Sequence, residues 1–524
     1  MMTIFSAEVF GPDGYEVAVE CSVKKSLPKF SIIGLPDAAI KESQLRIFTG
    51  AENSGVPIPP AEISINLAPA DKKKAGTALE LAILVSIYRT MSVIDRPLDD
   101  MSFIGELSFS GEVRPVRGVL GMTIAAINAG RHHIFVPAAN IHEAAIAYRD
   151  GIKIYPVHDV AELLAFFSGR ADITPADNNP YEVSDNFLMR DDFSQVKGQF
   201  RAKRAMETAA AGGHNILLIG PPGSGKSMLA KRLPTILPKM SYEEALETTK
   251  IYSCAGLLDD DLPFVLTRPF RSPHHSLSTA ALVGGGTVPQ PGEISLAHNG
   301  VLFLDEFPEF RADSIEALRQ PIEDKRVTIT RAAGRITYPA SFMMVCAMNP
   351  CKCGYYGSKS GTCKCKPADI AKYLAKVSGP MLDRIDIQVE MPELSFAELS
   401  AMKPSEPSSA VRERVERARE LSRRRFREAG YANYSVKNNA AMETDELREF
   451  CALDEECVAV MEGVFKKTNL SARGYDRILR VARTLCDLEY EEGKTPDEGI
   501  IGGRIKKRHL MEAVQMRALD RKYW

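Results

Sequence analysis

Apolar positions along the middle of the chain gather into short unbroken runs: Ile216-Leu217-Leu218-Ile219, Val301-Leu302-Phe303-Leu304, and the run from Phe342 to Met348. Each is closed by glycine or by a polar residue. Runs of this kind predict strands buried on both faces, as in a parallel sheet covered by helices. Ahead of them, residues 1–170 predict a separate α/β unit. It is β-rich through Ile32, then shows a helical pattern over 37–50, a strand over 63–67 and an apolar helix over 77–88. The apolar stretch 103–107, the turn Ser110-Gly111, a helix through Ala129 and a strand over 134–137 follow. Residues 171–190 are polar and proline-containing with no periodicity, and read as a linker. Alternation around Gly334 over 326–337 predicts a β-hairpin. Residues 412–428 place eight arginines and four glutamates at helical spacing, the pattern of a solvated helix with i,i+4 ion pairs. Ser471 opens a further helix through Leu485. The expected fold class is α/β: an amino-terminal α/β unit over 1–170, a linker over 171–190, a P-loop core with a parallel sheet over 191–393 and a helical lid over 394–524.

Chemistry enters where these strands end. Gly220-Pro221-Pro222-Gly223-Ser224-Gly225-Lys226-Ser227 follows the first run and precedes a helix-forming stretch, giving strand, phosphate loop and helix in order. Such a loop turns backbone N–H groups toward phosphates, with Lys226 reaching the β/γ-phosphates and the Ser227 hydroxyl ligating Mg²⁺. The second run ends in Asp305-Glu306, a pair suited to hold Mg²⁺ (Asp305) and to polarise the attacking water (Glu306). The third ends at Asn349, whose amide can orient that water. ATP and Mg²⁺ are therefore the expected ligands.

At 524 residues the chain has room for two to four domains, and a net charge of −2 leaves nucleic-acid contact to local patches. The start shows no basic region leading into a long apolar run, and no stretch has the length of a membrane span, so a cytoplasmic protein is expected. Four of the ten cysteines cluster as Cys351-Lys352-Cys353 and Cys363-Lys364-Cys365. Four thiolates within fifteen residues can close a tetrahedral Zn²⁺ site, although the C-x-C spacing leaves free thiols or a redox pair open. Bound zinc would be ringed by Lys352, Lys364 and Lys366, a knuckle able to guide a DNA strand. His274 and His275 have no metal-ligand spacing to a partner, which favours a structural or subunit-interface role. The run Lys72-Lys73-Lys74 reads as a solvated loop. The basic tail 504–509 can meet nucleic acid or another subunit.

Two resemblances add to this reading. The order of elements in residues 1–170 resembles the protease domain of Lon and its inactive relatives. The nucleophile and lysine positions of that enzyme fall at Ala78 and Leu120, which implies a scaffold or nucleic-acid platform in place of a peptidase. The phosphate loop, residues 268–275, Gly284-Gly285-Gly286, residues 291–300, the Asp305-Glu306 strand and Asn349-Pro350-Cys351 together resemble the Mg-chelatase-like AAA+ family in its ComM/YifB branch. That resemblance covers nearly the whole chain. It implies a homo-hexameric DNA helicase that promotes branch migration during recombination, as in natural transformation, acting on single-stranded or branched DNA. It also implies roles by position: Val196 and Gln199 against the adenine, Asn349 as sensor 1, Arg384 as a trans arginine finger, and Arg473 as sensor 2, with Arg477 and Arg480 as rivals. The 326–337 hairpin would project into the ring pore, making Arg331 and Arg335 the first phosphate contacts; residues 256–299 fit a second inserted hairpin. The other readings are a magnesium-chelatase-like motor subunit, an ATP-dependent protease or protein-remodelling ATPase, and a DNA-binding scaffold.

Overall fold

A computed structural model describes residues 3–176, 191–259, 263–286, 289–331, 334–358, 363–393, 405–431, 437–468, 470–491, 499–517, 519 and 523. Most of the expected linker, and residue 394 at the expected start of the lid, lie outside these residues. Among the described residues no helix is long and apolar enough to cross a membrane.

The amino-terminal unit contains β1 (Thr3–Phe10), β2 (Asp13–Lys24), β3 (Lys29–Ile33), β4 (Glu62–Ala68), β5 (Met101–Phe103), β6 (Glu106–Leu107), β7 (Val113–Arg114), β8 (His133–Pro137) and β9 (Lys153–Val157). Seven of them form one sheet in the order β3-β4-β2-β1-β5-β8-β9. The alternation in β4, whose Ile63, Ile65 and Leu67 are fully buried, turns one face into the apolar cluster that also holds the helix Glu80–Thr90. That helix is apolar nearly all round and is correspondingly enclosed. The helix Ala38–Asn53 starts where the side chain of Asp37 accepts the Ile40 N–H at 2.9 Å.

The second sheet holds β10 (Ile216–Ile219), β11 (Phe270–Arg271), β14 (Val301–Leu304), β17 (Met343–Met348) and β18 (Ile387–Glu390). Two short pairs stand outside it, β12 (Gly284–Gly285) with β13 (Gln290–Pro291) and β15 (Arg326–Arg331) with β16 (Gly334–Pro339). The sheet order is β11-β14-β17-β10-β18, parallel throughout, and every residue of β10, β14 and β17 is buried. The three apolar runs therefore become the three central strands. Parallel pairing sends their carboxyl ends to one edge, where Gly220, Asp305 and Asn349 follow them.

The two units touch directly. Leu120, Ile146 and Ala147 pack with Ala245 and Phe264, and Ser253 Oγ donates to Glu143 Oε1 at 2.6 Å. The β1–β2 turn rests on the β15/β16 hairpin: a Cβ placed at Gly334 would come within 2.9 Å of the Phe10 ring, and one at Gly11 would meet Ile336.

The helices Ser408–Glu428, Ala472–Glu489 and Lys507–Gln515 close over the opposite side of the core, with Val411, Val415, Leu485 and Leu510 buried among residues of β10 and β18. Here the solvated-helix reading of 412–428 needs correction. Arg424 and Glu428 do form an exposed i,i+4 pair, but Arg425 on the inner face is fully buried and donates to both oxygens of Asp487 at 2.8 and 2.7 Å. Arg483 reaches the same carboxylate at 3.0 Å and the carbonyls of Gly502 and Gly503. Arginine count and spacing cannot reveal a buried carboxylate on another helix.

This network yields a stability prediction. Asp487→Ala leaves two buried guanidinium groups without their carboxylate and should cost about 3–5 kcal/mol, lowering the thermal midpoint of the chain. Arg448→Ala, which removes one partner of an exposed pair, should change stability by less than about 0.5 kcal/mol. Equal midpoints for the two variants would show that the network contributes nothing.

Candidate nucleotide site

The loop after β10 is shaped by close approach and by glycine. A Cβ on Gly220 would lie 2.3 Å from the Met391 carbonyl, so the chain can pass there only without a side chain. Gly225 stands at φ +90°, the left-handed region, and opens the helix Lys226–Lys231. Lys226 is buried. Its ammonium donates to the carbonyls of Gly220 at 2.7 Å and Pro221 at 2.9 Å and to Asn349 Oδ1 at 3.1 Å. None of these partners carries a charge, and burial lowers the lysine pKa to about 8, with the nearby Asp305 carboxylate only partly opposing the shift. The Ser224 hydroxyl is buried without a hydrogen-bond partner among the described residues. A cation held by dipoles beside an unsatisfied hydroxyl suits a polyanionic ligand.

Ser227 Oγ donates to Asp305 Oδ2 at 2.6 Å, bringing together a hydroxyl and a carboxylate of the type that hold Mg²⁺. The donor set fits a hard divalent ion. Glu306, next in the chain, is forced into the left-handed region at φ +52°, and its N–H donates to Asp305 Oδ1 at 2.9 Å. The Glu306 side chain is 58% exposed and is met by His275 Nδ1 at 3.2 Å. His275 stands just past the end of β11, the strand paired with β14, so adjacent strands deliver histidine and glutamate to the same edge. Its ring also lies 4.1 Å from that of His274. The sequence held no sign of the Glu306 contact, because only the pairing of β11 with β14 creates it.

Gln199 lies beside the loop, donating to the carbonyls of Ser224 at 3.1 Å and Pro392 at 2.8 Å, while Val196 is buried in the core. Lys226, Ser227, Asp305, Glu306, Asn349 and Gln199 thus share one edge of the sheet. Arg384, expected to serve a neighbouring subunit, and Arg473, expected as sensor 2, stand apart from this edge. Arg384 Nη2 donates to Glu323 at 2.5 Å, and Arg384 and Arg473 line a cleft of about 770 Å³ together with Asn215, Gly300, Met343 and Asp386. Those residues mark the amino ends of β10, β14, β17 and β18, about 13 Å from the phosphate loop at 3.3 Å per strand residue. In the same cleft Arg477 pairs with Asp386 at 2.6 Å, and Arg480 donates to the Met442 carbonyl at 3.1 Å.

Arg331 and Arg335 are both exposed near the turn of the β15/β16 hairpin, on neighbouring register pairs. The second hairpin, β12/β13, packs against the first, with Tyr338 Oη donating to the Pro289 carbonyl at 3.0 Å. The four thiols of Cys351, Cys353, Cys363 and Cys365 converge within 4.8 Å of one another. In the amino-terminal unit Ala78 and Leu120 are both buried in apolar clusters. Lys72 and Lys73 are exposed as expected, but Lys74 turns inward and its ammonium donates to the carbonyls of Pro69 and Lys72. Carbonyls folded back over the ammonium are what allow that one lysine to leave water.

Comparison with known proteins matches three stretches of the chain. Residues 192–399 match the family described as magnesium chelatase, subunit ChlI; residues 19–140 match subunit ChlI of Mg-chelatase; residues 405–517 match its C-terminal part. The chain is 39% identical over 520 residues to YifB of Escherichia coli strain K12, covering 99% of this chain and 97% of that protein. It is 38% identical over 525 residues to competence protein ComM of Haemophilus influenzae, with the same coverage. A more distant similarity, 23% over 180 residues, links 34% of this chain with 18% of the DNA replication licensing factor mcm-6 of Caenorhabditis briggsae.

The buried lysine generates a pH prediction. Triphosphate binding favours the charged ammonium, so it should raise the Lys226 pKa from about 8 toward the ordinary lysine range. Below pH 8 the lysine is already charged and affinity should be flat. Above pH 8 each binding event must take up a proton, and the Kd for ATP should rise by up to about tenfold per pH unit. Calorimetry at pH 9 in two buffers of different ionisation enthalpy should report close to one proton taken up, and zero uptake would rule the coupling out.

Proposed function

The chain belongs to the ComM/YifB branch of the Mg-chelatase-like AAA+ family, and from that premise we propose that it is an ATP-hydrolysing ring motor promoting branch migration of recombination intermediates. The observation that carries the DNA reading is the β15/β16 hairpin, which holds Arg331 and Arg335 in solvent beside an ATPase-type core. Paired exposed guanidinium groups suit a phosphate backbone. The names of the competence and licensing-factor relatives point in the same direction.

ATP is the substrate. Lys226 binds its phosphates, and Gln199 holds the middle of the phosphate loop in place through the Ser224 carbonyl. Ser227 and Asp305 hold Mg²⁺, which supplies positive charge to the phosphoryl oxygens. Asn349, joined to Lys226, orients the attacking water, and Glu306 accepts its proton. The carboxylate of Glu306 engaged by His275 is held off that water, so its release precedes hydrolysis. The position of Arg384 and Arg473 beyond reach of their own phosphate loop supports a hexameric ring in which both serve a neighbour's ATP. A trans arginine makes hydrolysis depend on assembly. Ala78 and Leu120 supply neither nucleophile nor base, which favours a scaffolding role for the amino-terminal unit over peptidase activity. The four converging thiols favour a structural Zn²⁺.

The test is ATP hydrolysis with and without single-stranded, duplex and four-way-junction DNA. Junction or single-stranded DNA should stimulate the wild type. Glu306→Gln should lower kcat by about 10²–10⁴-fold at unchanged nucleotide affinity. Arg331→Ala with Arg335→Ala should remove the DNA effect and leave the basal rate. His275→Ala should raise the basal rate roughly two- to fivefold without changing KM, as expected for loss of a half-exposed polar contact. Hydrolysis indifferent to every DNA would replace this reading with a motor for a protein partner, as in the chelatase.

A further inference from the structure

Resting on the nucleotide-site reading above, we propose that the Cys351/Cys353/Cys363/Cys365 knuckle is a metal centre whose task is to brace the phosphate loop, and that DNA guidance is not its role. The sulfur geometry supports the metal. Cys351 Sγ lies 3.3 Å from Cys353 Sγ and 3.8 Å from Cys363 Sγ, and the Cys353–Cys363 separation is 3.7 Å. A tetrahedron with Zn–S bonds of about 2.3 Å has edges of about 3.8 Å. Disulfide sulfurs would stand at about 2.05 Å, and all four cysteines are free.

The position of the knuckle supplies the task. Cys351 is fully buried and follows β17 by way of Asn349 and Pro350, so the first ligand sits two residues beyond the amide that contacts Lys226. The turn between Cys351 and Cys353 closes with the Gly354 N–H donating to the Cys351 carbonyl at 2.9 Å. Gly354 stands at φ +89°, and a Cβ there would lie 2.5 Å from Pro222 Cδ and 2.7 Å from its Cγ. The knuckle backbone therefore rests on the second proline of the phosphate loop, at a position only glycine permits. On its other side the Tyr356 ring meets that of Tyr523 at 6.3 Å, and Tyr523 Oη donates to Glu390 Oε1 at 3.0 Å, at the end of β18. The knuckle is thus wedged between the phosphate loop and the carboxyl-terminal end of the chain. A loop holding a buried ammonium gains from a rigid neighbour, and four metal–sulfur bonds would supply that rigidity.

The full-length protein, purified without chelator, should carry one zinc per chain by elemental analysis. Cys363→Ser with Cys365→Ser should lose the metal and raise the Kd for a fluorescent ATP analogue at least fivefold. Gly354→Ala keeps all four ligands and presses on Pro222; it should retain zinc and still weaken nucleotide binding at least fivefold. Lys352→Ala with Lys364→Ala should alter neither zinc content nor nucleotide affinity. Zinc absent from the wild type would overturn the metal centre. Zinc lost with nucleotide affinity unchanged, together with normal affinity in Gly354→Ala, would overturn the brace while leaving the nucleotide site intact. A wild type that binds zinc and no nucleotide would instead sink the reading on which the brace rests.

Discussion

The ammonium of Lys226 sets the terms for the rest of the core. It is buried against carbonyl dipoles and one amide, with no charge in hydrogen-bond contact, and burial drives its pKa down. A cation is tolerated there only if the loop carbonyls of Gly220 and Pro221 are held facing it. That demands a fixed strand beneath the loop. β10 supplies it by lying between β17 and β18, parallel to both, with every side chain buried. The same parallel pairing places Asn349 at the right edge to complete the ammonium's partners, so one ordering of strands both supports the loop and assembles the chemistry.

From that constraint it follows why the site was largely legible in the sequence and its surroundings were not. The three apolar runs became β10, β14 and the longer β17 because unbroken runs of that length have nowhere to go but the middle of a covered sheet. The residues closing them had to cluster, since parallel strands share a carboxyl edge. Contacts between distant segments carry no such signature. His275 reaches Glu306 only because β11 pairs with β14, and Gly354 reaches Pro222 only through the folding of the segment after β17. Arg384 and Arg473 were recognisable by position in the chain. Arg384 stands at the opposite end of the sheet because it precedes β18, whereas the place of Arg473 depends on where the lid docks, which local pattern does not encode.

Helical periodicity misled for a related reason. In the Ser408–Glu428 helix, spacing sees arginines and glutamates and infers water on all sides, yet Arg425 faces inward to Asp487 and Arg483. A buried ion network is invisible to hydropathy because each of its members looks solvated by itself. Lys74 shows the same effect on a smaller scale: its charge is met by backbone carbonyls of its own loop. In both places the charged group is enclosed with acceptors set against it, a carboxylate from another helix for Arg425 and carbonyls of its own loop for Lys74.

The amino-terminal unit then acquires a mechanical meaning. Its β1–β2 turn lies on the β15/β16 hairpin, with Phe10 against Gly334 and Gly11 against Ile336, and Asp13 forms an ion pair with Lys250. Leu120, Ile146 and Ala147 add an apolar seam to Ala245 and Phe264. A hairpin held on one side by a separate unit and on the other by β12/β13 cannot swing by itself, because displacement would expose Ile336 and break the Tyr338–Pro289 bond. β12/β13 lies in turn along the segment that begins at β11 and carries His275 toward Glu306. Any force on the hairpin that holds Arg331 and Arg335 is therefore shared between the amino-terminal unit and the edge of the sheet where the nucleotide-binding groups converge, a continuous packed route between the two surfaces on which the proposed motor would rely.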